Sequence, residues 1–327
     1  MIGAFVHSAV LQGIPLMYGC TGEIITQKSG NLNLGIPGVM YVGGITGVIG
    51  AFLYEKSLPS PDAANPFLAI LIPFVCCLIG SLIMGLIYSF LVVTLRANQN
   101  VTGLAMTTFG IGIGNFFGGS ISKLAGAEST SINLGLTSKF FCAHPPIAEG
   151  LGWFGEIFLS YGFLTYLAII ITLAAYVILK RTRVGLHLRA VGESPATADA
   201  AGINVTRYKY LATCIGCMIA GLGGIQYVLE YANGSWSNNA FGDRGWLAIA
   251  LVIFAIWKPN IGLFASIFFG GLYILKDWTN SSGVMSEFLK MIPYLVTLIV
   301  LIITSMRKKR EYQPPESLGT NYFREER

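Results

Sequence analysis

The sequence predicts an all-α fold, a polytopic helical membrane protein with about 9 (8–10) transmembrane helices and one short polar helix outside the bilayer. Three observations predict it. Hydrophobic residues make up 54% of the 327 residues and charged residues only 11%, a balance outside the range of soluble domains. Five windows, 29–54, 65–95, 97–122, 157–179 and 210–229, carry no charged side chain, and each meets the roughly 20 apolar residues that a spanning helix needs. Alternating segments of about 10 residues, the mark of a membrane β-barrel, are absent.

The N-terminal MIGAFVHSAVLQGIPLMYGC lacks the basic start of a secretory signal and reads as the first helix, near 3–25. Hydropathy places the rest near 32–54, 66–95, 101–121, 158–179, 207–231, 242–257, 260–278 and 287–306. The weakest pair, GWLAIALVIFAIW and IGLFASIFFGGLYIL, flanks the short KPN. Two spans with Lys258 at the inner surface are expected there, because a re-entrant pair would carry that ammonium to mid-membrane depth.

Charge placement orients the chain. If connections alternate sides, one side collects Lys28, Arg96, the cluster from Lys180 to Lys209, Lys258 and the tail RKKREYQPPESLGTNYFREER, fifteen of the twenty-one Lys and Arg residues. The positive-inside rule makes that side the cytoplasm. The opposite side receives EKSLPSPDAANP and the long segment 122–156. The expected organisation is a transmembrane domain over 1–306 with a cytoplasmic loop at 180–209, then a cytoplasmic tail at 307–327. RKKR would anchor the tail to anionic lipid, and the remainder is expected to be a flexible end.

Forty glycines are present, densely in TTFGIGIGNFFGGS, where small residues let helix backbones approach closely in lipid. Thr107, Thr108 and Asn115 on that helix, and Asn33, Gln226 and Tyr227 elsewhere, have two readings: bonds to a neighbouring helix, or the wall of a wet cavity. SGNLNLGIPGVMYVGG, with Asn31 and Asn33, is interrupted by Gly30, Gly35, Pro37 and Gly38. Such a break is either a kink at a helix start or the border of a cavity. Six cysteines include one C-x-x-C, Cys214 and Cys217, and the histidines are only His7, His144 and His187. That pattern points to packing rather than to a metal site.

LRAVGESPATADAAGI, 188–203, is polar and alanine-rich between apolar segments. Ser194 suits an N-cap, Pro195 the first helical position and Gly202 the stop, with Thr206 able to cap the next helix. A helix of about two turns is marginal alone, so something is expected to dock on it, with Arg189, Glu193 and Asp199 fixing its orientation. An ordinary amphipathic surface helix or a lipid-facing basic loop is the alternative.

RTRVGLHLRAVGESPATADAAGINVTRYK closely resembles the cytoplasmic coupling segment of ABC importer permeases of the branched-chain amino acid, simple-sugar and nucleoside class. GEIITQKSGNLNLGIPGVMYVGG and RANQNVTGLAMTTFGIGIG resemble two further signatures of that class in the same order, so the likeness covers most of 22–229. GNLNLGIPG paired with RANQNVTGLA is nearer the nucleoside or simple-sugar branch. Ile36-Pro37 and the run Asn98–Asn100 depart from the class pattern and leave the solute open.

The resemblance implies ATPase coupling through Arg189, Glu193, Ser194, Pro195, Ala198, Asp199, Ala201 and Gly202. It also implies a translocation path drawn from Asn31, Asn33, Pro37, Thr107, Thr108, Asn115, Gln226 and Tyr227. The implied partners are a second permease subunit of different but similar sequence, an ABC ATPase subunit, an extracytoplasmic substrate-binding protein or lipoprotein, and membrane lipid. No nucleic acid partner is expected. The implied location is the bacterial cytoplasmic (inner) membrane, with the C-terminus inside. The solute would be nucleoside-like or sugar-like, with riboflavin or branched-chain amino acids as alternatives within the class.

The chain has no G-x-x-x-x-G-K-[ST] loop, so it is not expected to cradle ATP itself. No cofactor is expected in this chain, ATP and Mg belonging to partner subunits, and the chain is not expected to be an enzyme. An ion-coupled transporter would bury ionisable groups at depth, whereas Glu23, Glu230, Asp243, Lys276, Asp277, Glu287 and Lys290 map near helix ends. A membrane enzyme would need clustered catalytic groups, and the three histidines fall on separate segments.

Overall fold

The computed structural model describes residues 2–124, 132–144, 152–279, 284–306 and 313–323. The long apolar segments are α1 (Ile2–Gln27), α2 (Ile36–Ser57), α3 (Pro66–Ser89, continued by a π turn at Phe90–Thr94) and α4 (Gln99–Leu124). Two short outer helices follow, α5 (Gly135–Phe141) and α6 (Gly152–Phe158), then α7 (Phe163–Arg181). The polar α8 (Arg183–Glu193) and α9 (Pro195–Ala200) lead into α10 (Val205–Gln226), which ends in a π turn at Tyr227–Tyr231. The chain closes with α11 (Arg244–Phe254), α12 (Pro259–Trp278) and α13 (Val284–Met306). Each of the nine hydropathy segments coincides with a helix. Among the described residues, five helices are long and apolar enough to cross a membrane: 36–57, 66–94, 163–181, 205–231 and 285–303.

Burial sorts these helices into a centre and a rim. The apolar windows of α2 and α10 are 78% buried, against 33% for α3 and α7 and 12% for α13. α1 packs between α10 and α12, and α2 between α3, α4 and α10. Glycine makes the central crossings possible. A Cβ on Gly22 of α1 would overlap the Gly216 carbonyl oxygen of α10, and one on Gly216 would overlap Thr26 Oγ1. With no hydrophobic drive between helices in lipid, such close backbone contact is what holds them.

The pair around Lys258 differs from two ordinary spans. α11 has 11 residues, about 16 Å at 1.5 Å per residue, which is roughly half of a 30 Å hydrocarbon layer. The chain reverses at Ala255–Trp257, where Ile256 and Trp257 both have positive φ. Trp257 Nε1 donates to Gln27 Oε1 at 2.6 Å, so Lys258 lies at the same end of the bundle as Lys28. Burial pushes the Lys28 ammonium below its ordinary range, with Arg189 and Lys258 adding to the shift and Glu193 opposing it. Before α11 runs an irregular loop, 232–243, held by a two-residue antiparallel ribbon pairing Ile132 with Trp236 and Asn133 with Ser235.

The tail is not a free end over its described residues. Ser317 is buried, and its N–H and Oγ both donate to the Gly192 carbonyl, at 3.1 and 2.6 Å. Gly319 N–H donates to Gly30 O at 3.1 Å, and Asn321 Nδ2 to Arg96 O at 2.6 Å. Tyr322 OH donates to Asp199 Oδ2 at 2.9 Å. Residues 313–323 therefore strap the α1–α2 turn, the α3–α4 turn and the α8–α9 pair together. No sign of this is legible in the sequence, because polar side chains meeting backbone carbonyls leave no periodicity. RKKR lies outside the described residues.

Candidate translocation path and coupling segment

The break between α1 and α2 is built by asparagine. Asn33 Oδ1 accepts from Gly35 N–H at 2.9 Å, closing a turn at the start of α2. Its own N–H donates to Glu23 Oε1 at 3.0 Å, and its Nδ2 to Cys217 Sγ at 3.5 Å. Asn31 Nδ2 donates to Thr213 Oγ1 at 3.0 Å, and Thr107 Oγ1 to Leu34 O at 2.8 Å. Pro37 is buried where Gly245 of α11 leaves room for its ring. Asn31, Asn33, Pro37 and Thr107 thus meet in one cluster. It also holds Glu23, whose Oε1 accepts from Gln27 Nε2 at 2.8 Å. Glu23 Oε2 and Asn31 Oδ1 have no partner among the described residues. Buried polar atoms in that state mark places for water or a solute's polar groups.

Asn115 and Tyr227 belong to a second cluster, around the loop before α11. Asn115 Oδ1 accepts from Tyr41 OH at 3.2 Å, and its Nδ2 donates to Asn239 Oδ1 at 3.1 Å. The Tyr41 ring lies 5.3 Å from Trp236 and 5.0 Å from Phe241, and Phe241 lies 4.7 Å from Tyr227. Arg244 sits over Tyr227 at 4.6 Å and Tyr273 at 5.0 Å, a cation–π arrangement. Trp236 Nε1, Asn238 Oδ1 and Arg244 Nε have no partner here among the described residues. Sequence reading missed Tyr41, Trp236, Phe241 and Arg244, because aromatics in an apolar chain look like core until the loop folds inward.

Gln226 and Thr108 stand apart. Gln226 Nε2 donates to Glu230 Oε2 at 3.5 Å. Glu230 also accepts from Leu164 N–H and Thr165 Oγ1, both at 2.9 Å, so it caps the start of α7. Glu23 and Glu230 do lie near helix ends, as expected, yet both are buried inside the bundle. Thr108 is on the exposed face of α4, its hydroxyl returned to Leu104 O at 3.2 Å, and Gly112 on that helix has open space beside it. Cys214 and Cys217 are buried and unpaired.

The polar segment 183–202 forms two helices rather than one. Ser194 Oγ accepts from Thr197 N–H at 3.4 Å, Pro195 takes the first helical position, and Gly202 at φ +82° ends α9. Gly202 N–H to Asp199 O at 2.9 Å and Ile203 N–H to Ala198 O at 3.0 Å complete a Schellman stop. The next helix is capped by Asn204, which accepts from Arg207 N–H at 2.9 Å, not by Thr206. Asparagine two residues earlier wins because the Schellman stop leaves Asn204 extended, the conformation an N-cap needs. Ala198 is buried against Val191, Val205 and Tyr322. Ala196, Thr197, Ala200 and Ala201 are exposed. Arg189 is exposed, and Glu193 Oε2 accepts from Glu316 N–H at 3.4 Å. The support that so short a helix requires comes partly from its own chain, through α8 and the tail.

A bundle of apolar helices with a broken helix start, a half-length helix and a small-residue helix on an exterior loop defines a multi-pass membrane transport subunit. The chain belongs to the family described as the permease component of the branched-chain amino acid transport system, whose model matches residues 6–303. Permease components of ABC transporters work with an ATPase subunit and a second permease and are not themselves enzymes. A permease protein named for glucose transport, TsgC13 of Haloferax volcanii, is 27% identical over 99% of this chain and 98% of its own. Two nucleoside ABC transporter permease proteins of Lactococcus lactis also match: NupC, 27% identical over 98% of this chain and 96% of its own, and NupB, 26% identical over 42% and 37%. Among solved structures, an inward-facing ABC transporter described as of metal-chelate type shares the fold, with TM-score 0.50 and 10% identity over 90% of this chain and 85% of that one.

Proposed function

We propose that this chain lines the translocation path of an ATP-driven importer for a nucleoside-like or sugar-like solute, working by alternating access, with α9 receiving the stroke of the ATPase. The observation that carries it is the pairing of an exposed small-residue face on α9 with glycine-packed helices that run from it to both polar clusters. The aromatic and amide groups around Tyr41, Asn115 and Trp236 suit a ring-bearing polar solute, by stacking and by hydrogen bonds. The exposed face of α4 with Thr108 and Gly112 is offered to a second permease. NupB and NupC are two different permeases in one organism, which favours a partner of different sequence. A separate extracytoplasmic binding protein would deliver the solute.

The test is ATPase activity of the reconstituted complex with its neighbouring binding protein, challenged with nucleosides, sugars, riboflavin and amino acids. Stimulation by nucleosides or sugars is expected. Stimulation by amino acids alone, or no ATPase accompanying the chain, would sink this reading. The buried carboxylates give little support to ion coupling, because Glu230 is held by Leu164 and Thr165 and Glu23 by Gln27 and Asn33.

Sidedness is part of the same proposal, with the tail and α9 in the cytoplasm. Ser317 is buried and would resist labelling on either side, so the exposed Gln313 is the position to use. A cysteine at the exposed Ser60 should react with an impermeant thiol reagent added outside, and one at Gln313 only after the membrane is opened. The opposite pattern would invert the topology.

A further inference from the structure

A cavity of about 630 Å³ opens beside the C-terminal turn of α9 and is walled by the tail residues Asn321 and Tyr322. Three cations line it, Arg96, Arg207 and Lys209. Among the described residues one carboxylate lines it, Asp199, whose Oδ2 is engaged by the Tyr322 hydroxyl at 2.9 Å. The Arg96 guanidinium lies over the Phe323 ring at 4.6 Å, so the tail also sets the position of that cation.

Lys209 is the decisive residue. The residue is 3% exposed and lines the cavity, and no described residue is hydrogen-bonded to or ion-paired with its ammonium. An ammonium whose residue is otherwise buried and that has no partner in the protein gains from an anion in the cavity it lines. By contrast, the buried Glu230 accepts from Leu164 N–H and Thr165 Oγ1, and Arg244 Nη1 donates to the Ala240 and Phe241 carbonyls. Among the described residues, a cavity that gathers two guanidinium groups and a partnerless ammonium, with Asp199 already engaged by Tyr322, is arranged for an anion of more than one charge.

We propose that this cavity binds a phosphate-bearing anion. Arg96 and Arg207 offer planar forks to phosphate oxygens and Lys209 a point charge, and Val92, Val93 and Ile203 supply an apolar wall for whatever the phosphate carries. The volume lies in the range of small-molecule sites, about 300–1,000 Å³, so a phosphate ester fits with room beyond its phosphate. The ester is either a soluble metabolite or the headgroup of an anionic lipid. The transport reading enters only in placing the cavity on the cytoplasmic side, and binding itself is independent of it.

The full chain in neutral detergent is titrated calorimetrically with inorganic phosphate, adenosine 5′-monophosphate, adenosine, and short-chain phosphatidylglycerol or phosphatidylcholine. Saturable binding of at least one anionic phosphate is expected, with none for adenosine. Lys209→Met and, as the exposed and structurally harmless variant, Arg207→Gln should each weaken it at least about tenfold, as loss of a charge-assisted bond implies. Lys209→Arg should retain it. Binding of the soluble phosphates assigns a metabolite, and binding of phosphatidylglycerol alone assigns a lipid headgroup; either supports the site. No binding by any anionic phosphate, or affinities unchanged in Arg207→Gln and Lys209→Met, overturns it. So does a complex structure in which an ATPase carboxylate fills the cavity and pairs with Lys209. A chain that binds phosphate but recruits no ATPase would leave this site standing and remove the importer reading.

Discussion

Leucine in place of Gly22 should prevent the folded protein from accumulating in the membrane. At this crossing α1 and α10 meet backbone to backbone, and Gly22 and Gly216 each occupy the space a side chain would need. The obstacle is a carbonyl oxygen in a regular helix rather than the end of a flexible chain, so relief requires moving a whole helix. Overpacking by a few methylenes costs about 1–3 kcal/mol when side chains can yield, and more is expected here because they cannot. α1 also packs on α11 and α12, so its displacement would open the cluster around Glu23 and Gln27. The measurement is the yield of monodisperse protein in mild detergent, with Gly112→Leu as control, since that glycine faces open space. Equal yields of the two variants would show that the close crossing does not hold the bundle.

Tryptophan at Ala200 should leave the chain folded and reduce solute transport by the assembled complex about a hundredfold or more. Ala200 is on the exposed face of α9, with Ala196, Thr197 and Ala201, so among the described residues an indole there has room to point outward. Its cost falls on the docking partner, and a clash at the centre of an interface is a hot-spot effect of about 2–4 kcal/mol or more. Ala198→Trp is the instructive contrast. Ala198 is sealed under Val191, Val205 and Tyr322, so bulk there should dislodge α9 and the tail and lower the thermal midpoint of the isolated chain. Ala200→Trp should leave that midpoint unchanged. Normal transport by Ala200→Trp would refute docking on this face.

Both results depend on reading the same six-residue helix at two levels. Its ends were legible in order: Ser194, Pro195 and Gly202 act through local backbone chemistry, and the structure places each as the sequence required. Which of its alanines faces outward was not legible, since a helix so short has no stripe to read. The same division runs through the path residues. Asn33 acts two residues along the chain, on Gly35, and a break was visible in the sequence. Asn115 acts on Tyr41 and Asn239, 74 and 124 residues away, and no local pattern announces such a meeting.

By itself, the sequence determined that this is a multi-pass helical membrane protein, where its helices run, which helix is broken at its start and where a short capped polar helix interrupts the apolar pattern. Each of these follows from short-range physics: apolar runs avoid water, proline and glycine interrupt helices, and small polar side chains cap them. Only the tertiary structure decided that α11 is 11 residues long and preceded by an irregular loop, that Glu23 and Glu230 are buried, and that residues 313–323 strap three turns together. Those outcomes rest on hydrogen bonds and ring contacts between residues up to 230 positions apart, whose partners are fixed only when the helices pack.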